Sequence, residues 1–245
     1  MKGVVPFVIL YKIFGDENMI KKIEILGITL DNYSVQESMR QVELFLNNDV
    51  MNTIEDVTMD MLVHASSDES LKECIEQLDL AVVSDKEILN AAGVTSLQRI
   101  RETVEHQFFH EFMRRIIRNR KSIYLIGETA AQVETLTGML RDEYEHLRLI
   151  GGYAIESSGN DYDNAVNEIN VASPDVIFSM LSTPQQEYFL KENKKRMNAK
   201  IWYGIGKNLE NAAHHSRVGG FFRRLLHRGV LKSMMSQYEK QEKEE

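Results

Sequence analysis

Ser122-Ile123-Tyr124-Leu125-Ile126-Gly127-Glu128-Thr129-Ala130-Ala131-Gln132 begins as a short apolar, strand-prone run, stops on a glycine and passes at once into a helix start. Thr129 is the N-cap candidate, and Val133, Leu136 and Leu140 follow it at helical spacing. A strand turning directly into a capped amphipathic helix is the repeating unit of a parallel sheet covered by helices. The alternation continues on both sides of this stretch. Further candidate strands are Lys22–Leu26, Ile54–Thr58, Leu80–Ser84, Leu147–Ile150, Val176–Met180 and Lys200–Ile205. Ser34-Val35-Gln36-Glu37 reads as a capping box, feeding Val35, Met39, Val42, Phe45 and Leu46. The longest helical candidate runs from about Arg101 to Asn119, with Phe108, Phe109, Phe112, Ile116 and Ile117 as a core-facing stripe. Arg114, Arg115, Arg118, Arg120 and Lys121 at its end suit the negative pole of a helix better than a nucleic-acid patch.

The expected fold is therefore α/β, a Rossmann-like parallel sheet flanked by helices, with a core over residues 23–213. A chain of 245 residues, 43% hydrophobic and 27% charged, is long enough to bury such a core. Its 29 Lys and Arg against 37 Asp and Glu give a formal charge of −8, which provides no general attraction to nucleic acid. The single cysteine, Cys74, has no internal partner, consistent with a reducing compartment, and shares a helical face with Leu71, Ile75 and Leu78, so it reads as a small core residue.

The ends differ from the core. Residues 1–22 form an N-terminal extension, apolar from Gly3 to Phe14 except for Lys12, too short to span a bilayer and without a cleavage pattern. Misread upstream sequence, with Met19 as the start, is the alternative reading of that segment. Residues 214–245 form a basic amphipathic appendage ending in an acidic tail. Between His214 and Lys232, Arg217, Arg223, Arg224 and Arg228 interleave with Phe221, Phe222, Leu225, Leu226, Val230 and Leu231. Such a helix suits an anionic membrane surface, and it equally suits docking on the sheet.

In parallel α/β sheets, ligands bind beyond the carboxyl ends of the strands. The residues there are Thr58-Met59-Asp60, Ser84-Asp85-Lys86, Gly127-Glu128-Thr129, Gly151-Gly152-Tyr153, Ser182 to Glu187 and Gly206-Lys207-Asn208. Together they offer hydroxyls, amides, a carboxylate and close backbone approach to a phosphorylated ligand. Neither a G-x-G-x-x-G nor a P-loop follows Ile126, which disfavours nicotinamide cofactors and ATP. No metal-ligand spacing is present, and His214-His215 reads as cationic surface. No cofactor and no metal are expected.

Ala172-Ser173-Pro174-Asp175-Val176-Ile177-Phe178-Ser179-Met180-Leu181-Ser182-Thr183-Pro184-Gln185-Gln186-Glu187 resembles the strand and Pro-Lys-Gln-Glu turn of the WecG/TagA/CpsF family of bacterial glycosyltransferases. Ile25-Leu26-Gly27-Ile28, Val57-Thr58-Met59-Asp60, Asp79 to Asp85, Tyr124-Leu125-Ile126-Gly127, Ile150-Gly151-Gly152-Tyr153 and Trp202 to Gly206 resemble further family elements in the same order. The resemblance implies inverting, metal-independent transfer of an N-acetylhexosamine, N-acetylmannosamine-like, from a UDP-sugar to a polyprenyl-diphosphate-linked sugar in teichoic acid, common antigen or capsule synthesis. It also implies work at the cytoplasmic face of the membrane, against an anionic lipid surface, with a homo-oligomer as the compatible assembly.

Carried over residue by residue, the resemblance makes Asp85 the general base, Thr58 the turn threonine and Gln186 a ligand-orienting amide, with Glu187 beside it. Arg99 or Arg101 takes the place of the diphosphate-side arginine, and Arg217 and Arg224 belong to the basic terminal appendage. Asp60, Gly127, Gly152, Thr183 and Gly206 complete the substrate-binding set. The chain departs from the family at Asp60 for asparagine, Lys86 and Glu128 for glycines, and Gln185 for lysine. A non-catalytic relative that binds a nucleotide sugar or a transferase partner is the alternative reading that these departures open.

Overall fold

The computed structural model describes residues 21–158 and 162–206. Arg217 and Arg224, almost all of the N-terminal extension and the whole basic appendage therefore lie outside the described residues. The described residues begin with a small antiparallel hairpin, β1 (Lys22–Ile25) and β2 (Ile28–Asp31), closed by Leu26 and Gly27 at φ of 53° and 76°. Two successive positive φ values are what a two-residue hairpin turn demands. The strand β2 was not anticipated, because Leu26 reads as the continuation of the first strand rather than as a turn residue.

The remaining strands, β3 (Asn52–Val57), β4 (Leu80–Val83), β5 (Ser122–Gly127), β6 (Arg148–Ala154), β7 (Val176–Ser179) and β8 (Ile201–Gly204), form a six-stranded parallel sheet in the order β4-β3-β8-β7-β5-β6. The parallel α/β class expected from the sequence is the observed one. Helices cover both faces. α1 (Val35–Asn47), α6 (Gln107–Arg118) and α7 (Ala130–Glu143) pack on one side, where Ile54, Leu80, Leu125, Phe178 and Tyr203 meet Val42, Phe112, Ile116 and Leu136. α2 (Met59–Ala65), α3 (Glu69–Glu76), α8 (Tyr162–Ala172) and α9 (Gln185–Asn193) pack on the other, over Val57, Ala81, Val83, Ile177 and Trp202. α4 (Lys86–Ala91) and α5 (Leu97–Val104) link β4 to α6. Because helices cover both faces, β4, β5, β7 and β8 are apolar nearly throughout.

The capping box at Ser34 forms as read: its hydroxyl accepts the Glu37 N–H at 3.3 Å, and the Glu37 carboxylate accepts the Ser34 N–H at 3.0 Å. Thr129 likewise caps α7 by accepting the Gln132 N–H. The long helix expected from Arg101 to Asn119 is instead two, α5 and α6, parted at His106, whose φ is 48°. Thr103 donates to the Val83 carbonyl and Glu102 accepts the Val35 N–H, which hold α5 against β4 and α1. Phe112 of α6 packs instead on Phe178 of β7 and Tyr203 of β8. Cys74 is half-buried on α3 and unpaired with any other cysteine. No helix among the described residues is long and apolar enough to cross a membrane.

Candidate active site

At the carboxyl edge of the sheet, the ends of β3 and β4 are joined through Asp85. Its Oδ2 accepts the Met59 N–H at 2.7 Å, so the Thr58-Met59-Asp60 turn and Asp85 form one unit. Thr58 is buried and caps α2, its Oγ1 accepting the Met61 N–H at 3.3 Å. Burial pushes the Asp85 carboxyl above its ordinary value; the Met59 N–H opposes this, and the charges of Glu87 and Asp60 add to it. Asp60 is exposed in the first turn of α2, with His64 Nδ1 3.8 Å away. Lys86 opens α4 and is exposed.

Beside this unit lies a small cleft walled by α5, the start of α6 and the β2–α1 turn. Asp56, Ser84, Arg99, Glu102 and His106 supply its polar lining, and Tyr33, Phe108 and Phe109 its aromatic lining. Arg99 is therefore the arginine that faces the cleft, paired with Glu102 at 3.0 Å and donating to Asn32. Arg101 points away and pairs at the surface with Glu105. Asp56 accepts the Tyr203 hydroxyl at 2.9 Å. Burial pushes its carboxyl up to about 7 against the Tyr203 and Ser84 hydrogen bonds, with Asp85 adding a smaller upward push.

The second half of the sheet offers a different arrangement. Ser182 donates its N–H at 3.0 Å, and its hydroxyl as well, to the Glu128 carboxylate, which ties the end of β5 to the turn before α9. Thr183 Oγ1 donates to Glu187 Oε1 at 2.9 Å. Gln186 and Glu187, at 3% and 2% exposure, lie under the sheet and not in the open. A Cβ on Gly127 would come within 2.9 Å of both Gln132 Oε1 and Val133, so this glycine makes room for Gln132, which accepts the Glu128 N–H at 2.8 Å. Gly152 lies inside β6 rather than beyond it, and a Cβ there would meet Val133 at 2.6 Å. Both glycines thus serve close packing of α7 against the strands. Gly206 follows β8 at a φ of 51°.

Thr58, Asp60 and Asp85 are thus brought together, with Arg99 in the adjoining cleft. Asp85 and Gln186 do not share that cleft: β3 and β8 separate their strands, and Gln186 packs on the face opposite Asp56. Glu55, Asp56, Glu102 and His106 were not singled out from the sequence. Two adjacent acids within β3 were the available signal, since a strand covered on both faces has no solvent for either. Among the described residues no group of three or more His, Cys, Asp or Glu side chains is arranged to hold a metal ion.

Two aspartates within the recurring sequence elements have another role. Asp79 and Asp175 lie at the amino ends of the strands, where each accepts a backbone N–H and a hydroxyl, from Thr53 and from Ser122 respectively, at 2.8 to 2.9 Å. Each also has a lysine at hydrogen-bond distance, Lys194 and Lys121. They staple neighbouring strands.

The family model described as "Glycosyl transferase WecG/TagA/CpsF family" matches residues 23–225. A protein of Staphylococcus aureus strain MW2, named N-acetylglucosaminyldiphosphoundecaprenol N-acetyl-beta-D-mannosaminyltransferase, is 21% identical over 222 residues, covering 87% of this chain and 85% of the relative. A protein of the same name from strain NCTC 8325 / PS 47 is 22% identical over 212 residues, 83% of this chain and 81% of its own length.

Proposed function

The chain belongs to the WecG/TagA/CpsF family of glycosyltransferases, and from that premise we propose that it moves an N-acetylhexosamine, N-acetylmannosamine-like, from a UDP-sugar to a polyprenyl-diphosphate-linked sugar. The names of the staphylococcal relatives support an N-acetylglucosamine diphosphate lipid as acceptor. The observation that carries the reading is the Asp85–Met59 hydrogen bond, which holds a carboxylate at the carboxyl edge of the sheet beside the Thr58 hydroxyl.

On this reading Asp85 takes the proton of the acceptor hydroxyl as that oxygen attacks the anomeric carbon and UDP departs with the bonding pair from the opposite side. A carboxylate raised by burial is a stronger base than a solvated one, which suits the task. Thr58 accepts from Met61 and keeps a hydroxyl proton for a ligand oxygen. The departing diphosphate needs positive charge or donors. We assign that to Arg99, with Arg217 and Arg224 of the terminal segment as further candidates, since a guanidinium offers two parallel donors to a phosphate. Gln186, Thr183 and Glu187 would order the turn that meets the donor.

The test is turnover with UDP-N-acetylmannosamine and UDP-N-acetylglucosamine against a short lipid-diphosphate N-acetylglucosamine acceptor. Asp85→Asn is expected to lower kcat by about 10²- to 10⁴-fold, the range of a lost general base. Full activity in that variant refutes Asp85 as the base. Asp60, whose charge bears on Asp85, favours a second reading, a relative that binds without turnover. Calorimetric UDP-sugar binding with no UDP release from any donor would select it.

A further inference from the structure

Glu55 sits at the middle of β3, between β4 and β8, with no exposed surface. Neither of its carboxyl oxygens has a hydrogen-bond partner, and the same is true of Gln186 Oε1 and Glu187 Oε2. These four atoms are acceptors gathered from β3 and from the first turn of α9. An ionised carboxylate without donors is the costliest group to bury. Burial foremost, then the charges of Glu187 and Asp56, push the Glu55 carboxyl well above its ordinary value, and only the Gln186 amide favours its charge. Burial, and the charges of Glu187, Glu55 and Glu73, raise the Cys74 thiol on α3 against the opposing Lys191. A protonated Glu55 adds an O–H donor to the N–H donors that the Gln186 amide already offers.

The backbone is cut to fit this arrangement. Glu55 and Gly204 are neighbours in register across β3 and β8. A Cβ on Gly204 would stand 2.4 Å from Gln186 Nε2, 2.7 Å from its Cδ and 2.8 Å from Glu55 Cγ. The glycine therefore opens a slot that both side chains occupy. Glu187, in the same turn, accepts the Thr183 hydroxyl, which links the slot to the loop at the sheet's carboxyl edge.

We propose that Glu55 is a positioning residue, which through the slot left by Gly204 fixes the Gln186 amide and the Thr183–Glu187 turn for the nucleotide-sugar donor. The donor clause rests on the function proposed above; the contact between Glu55 and Gln186 does not. The test compares Glu55→Gln and Glu55→Leu in the full chain, with melting temperature as the folding control. The side-chain amide resonance of Gln186, assigned by its loss in Gln186→Leu, is expected to exchange slowly in the parent and in Glu55→Gln. In Glu55→Leu it is expected to exchange at least tenfold faster. With UDP-N-acetylmannosamine as donor, KM is expected to rise about tenfold in Glu55→Leu with a smaller change in kcat, and Glu55→Gln is expected to restore it.

An unchanged Gln186 resonance in a folded Glu55→Leu protein overturns the proposal. If Glu55→Leu does not fold, Glu55→Gln decides: a retained protected resonance supports it and a lost one overturns it. The resonance is read without turnover. A protein inactive with every donor but behaving as expected in this assay would sink the catalytic reading and leave the positioning role standing.

Discussion

Asp56 carries a consequence for stability that can be worked out from its surroundings. Its carboxyl stands at about 7 in the folded chain against an ordinary value of 3.8. The native state therefore holds a proton, between those two values, that the unfolded chain has released. The group contributes stability that is present below about pH 4 and is lost as pH rises through 7. At roughly 1.4 kcal/mol per unit, the loss is at most about 4 kcal/mol. Asp56→Asn keeps a polar partner for the Tyr203 hydroxyl and cannot ionise. Chemical denaturation at pH 4, 6 and 8 is expected to show the gap between variant and parent widening in the variant's favour as pH rises; parallel pH profiles would contradict it. At this scale the sequence was only partly legible. Thr58 and Asp85 were found from their place after strands, and the structure joins them through Met59. Glu55 and Asp56 were passed over because alternation places one on each face, and nothing local says that both faces are covered.

At the level of elements, caps were readable because they are chemistry between residues three apart. Ser34→Ala removes the hydroxyl half of the α1 box and is expected to cost about 1 kcal/mol, measured as a shift of the denaturation midpoint with unchanged slope. A change below a few tenths would mean the Glu37 half suffices. Strand existence was readable too, from apolar runs, though β6 runs on through Gly151 and Gly152 to Ala154 where the expected strand stops at Ile150. Its glycines read from the sequence as a place of close backbone approach, and the structure packs Gly152 against Val133 of a distant helix and Gly151 against Tyr124 of a neighbouring strand. The break at His106 had no glycine or proline to announce it. It falls between a helix held on β4 and α1 and a helix packed on β7 and β8.

For the whole molecule, the cationic segment from Phe221 to Lys232 lies outside the described residues, and its proposed task is to meet an anionic membrane. Deleting it is expected to abolish co-sedimentation with phosphatidylglycerol vesicles at low salt; retained binding would assign it a purely structural role. The charge of −8 on the whole chain makes the expectation sharp, since the rest of the surface has no general reason to adhere. Strand order belongs to this scale as well. β7 and β8, the last strands among the described residues, fill the middle of the sheet, between β3 and β5.

The sequence alone determined what short-range chemistry determines: which runs are strands, where helices begin, that the class is parallel α/β, and that reactive groups stand after the strands. Only the tertiary structure decided which of those groups meet. The insertion of β8 beside β3 sets Gly204 against Glu55, and the fold of α5 turns Arg99, not Arg101, into the cleft. Contacts between residues scores of positions apart depend on how all the elements pack at once, and no local pattern encodes that.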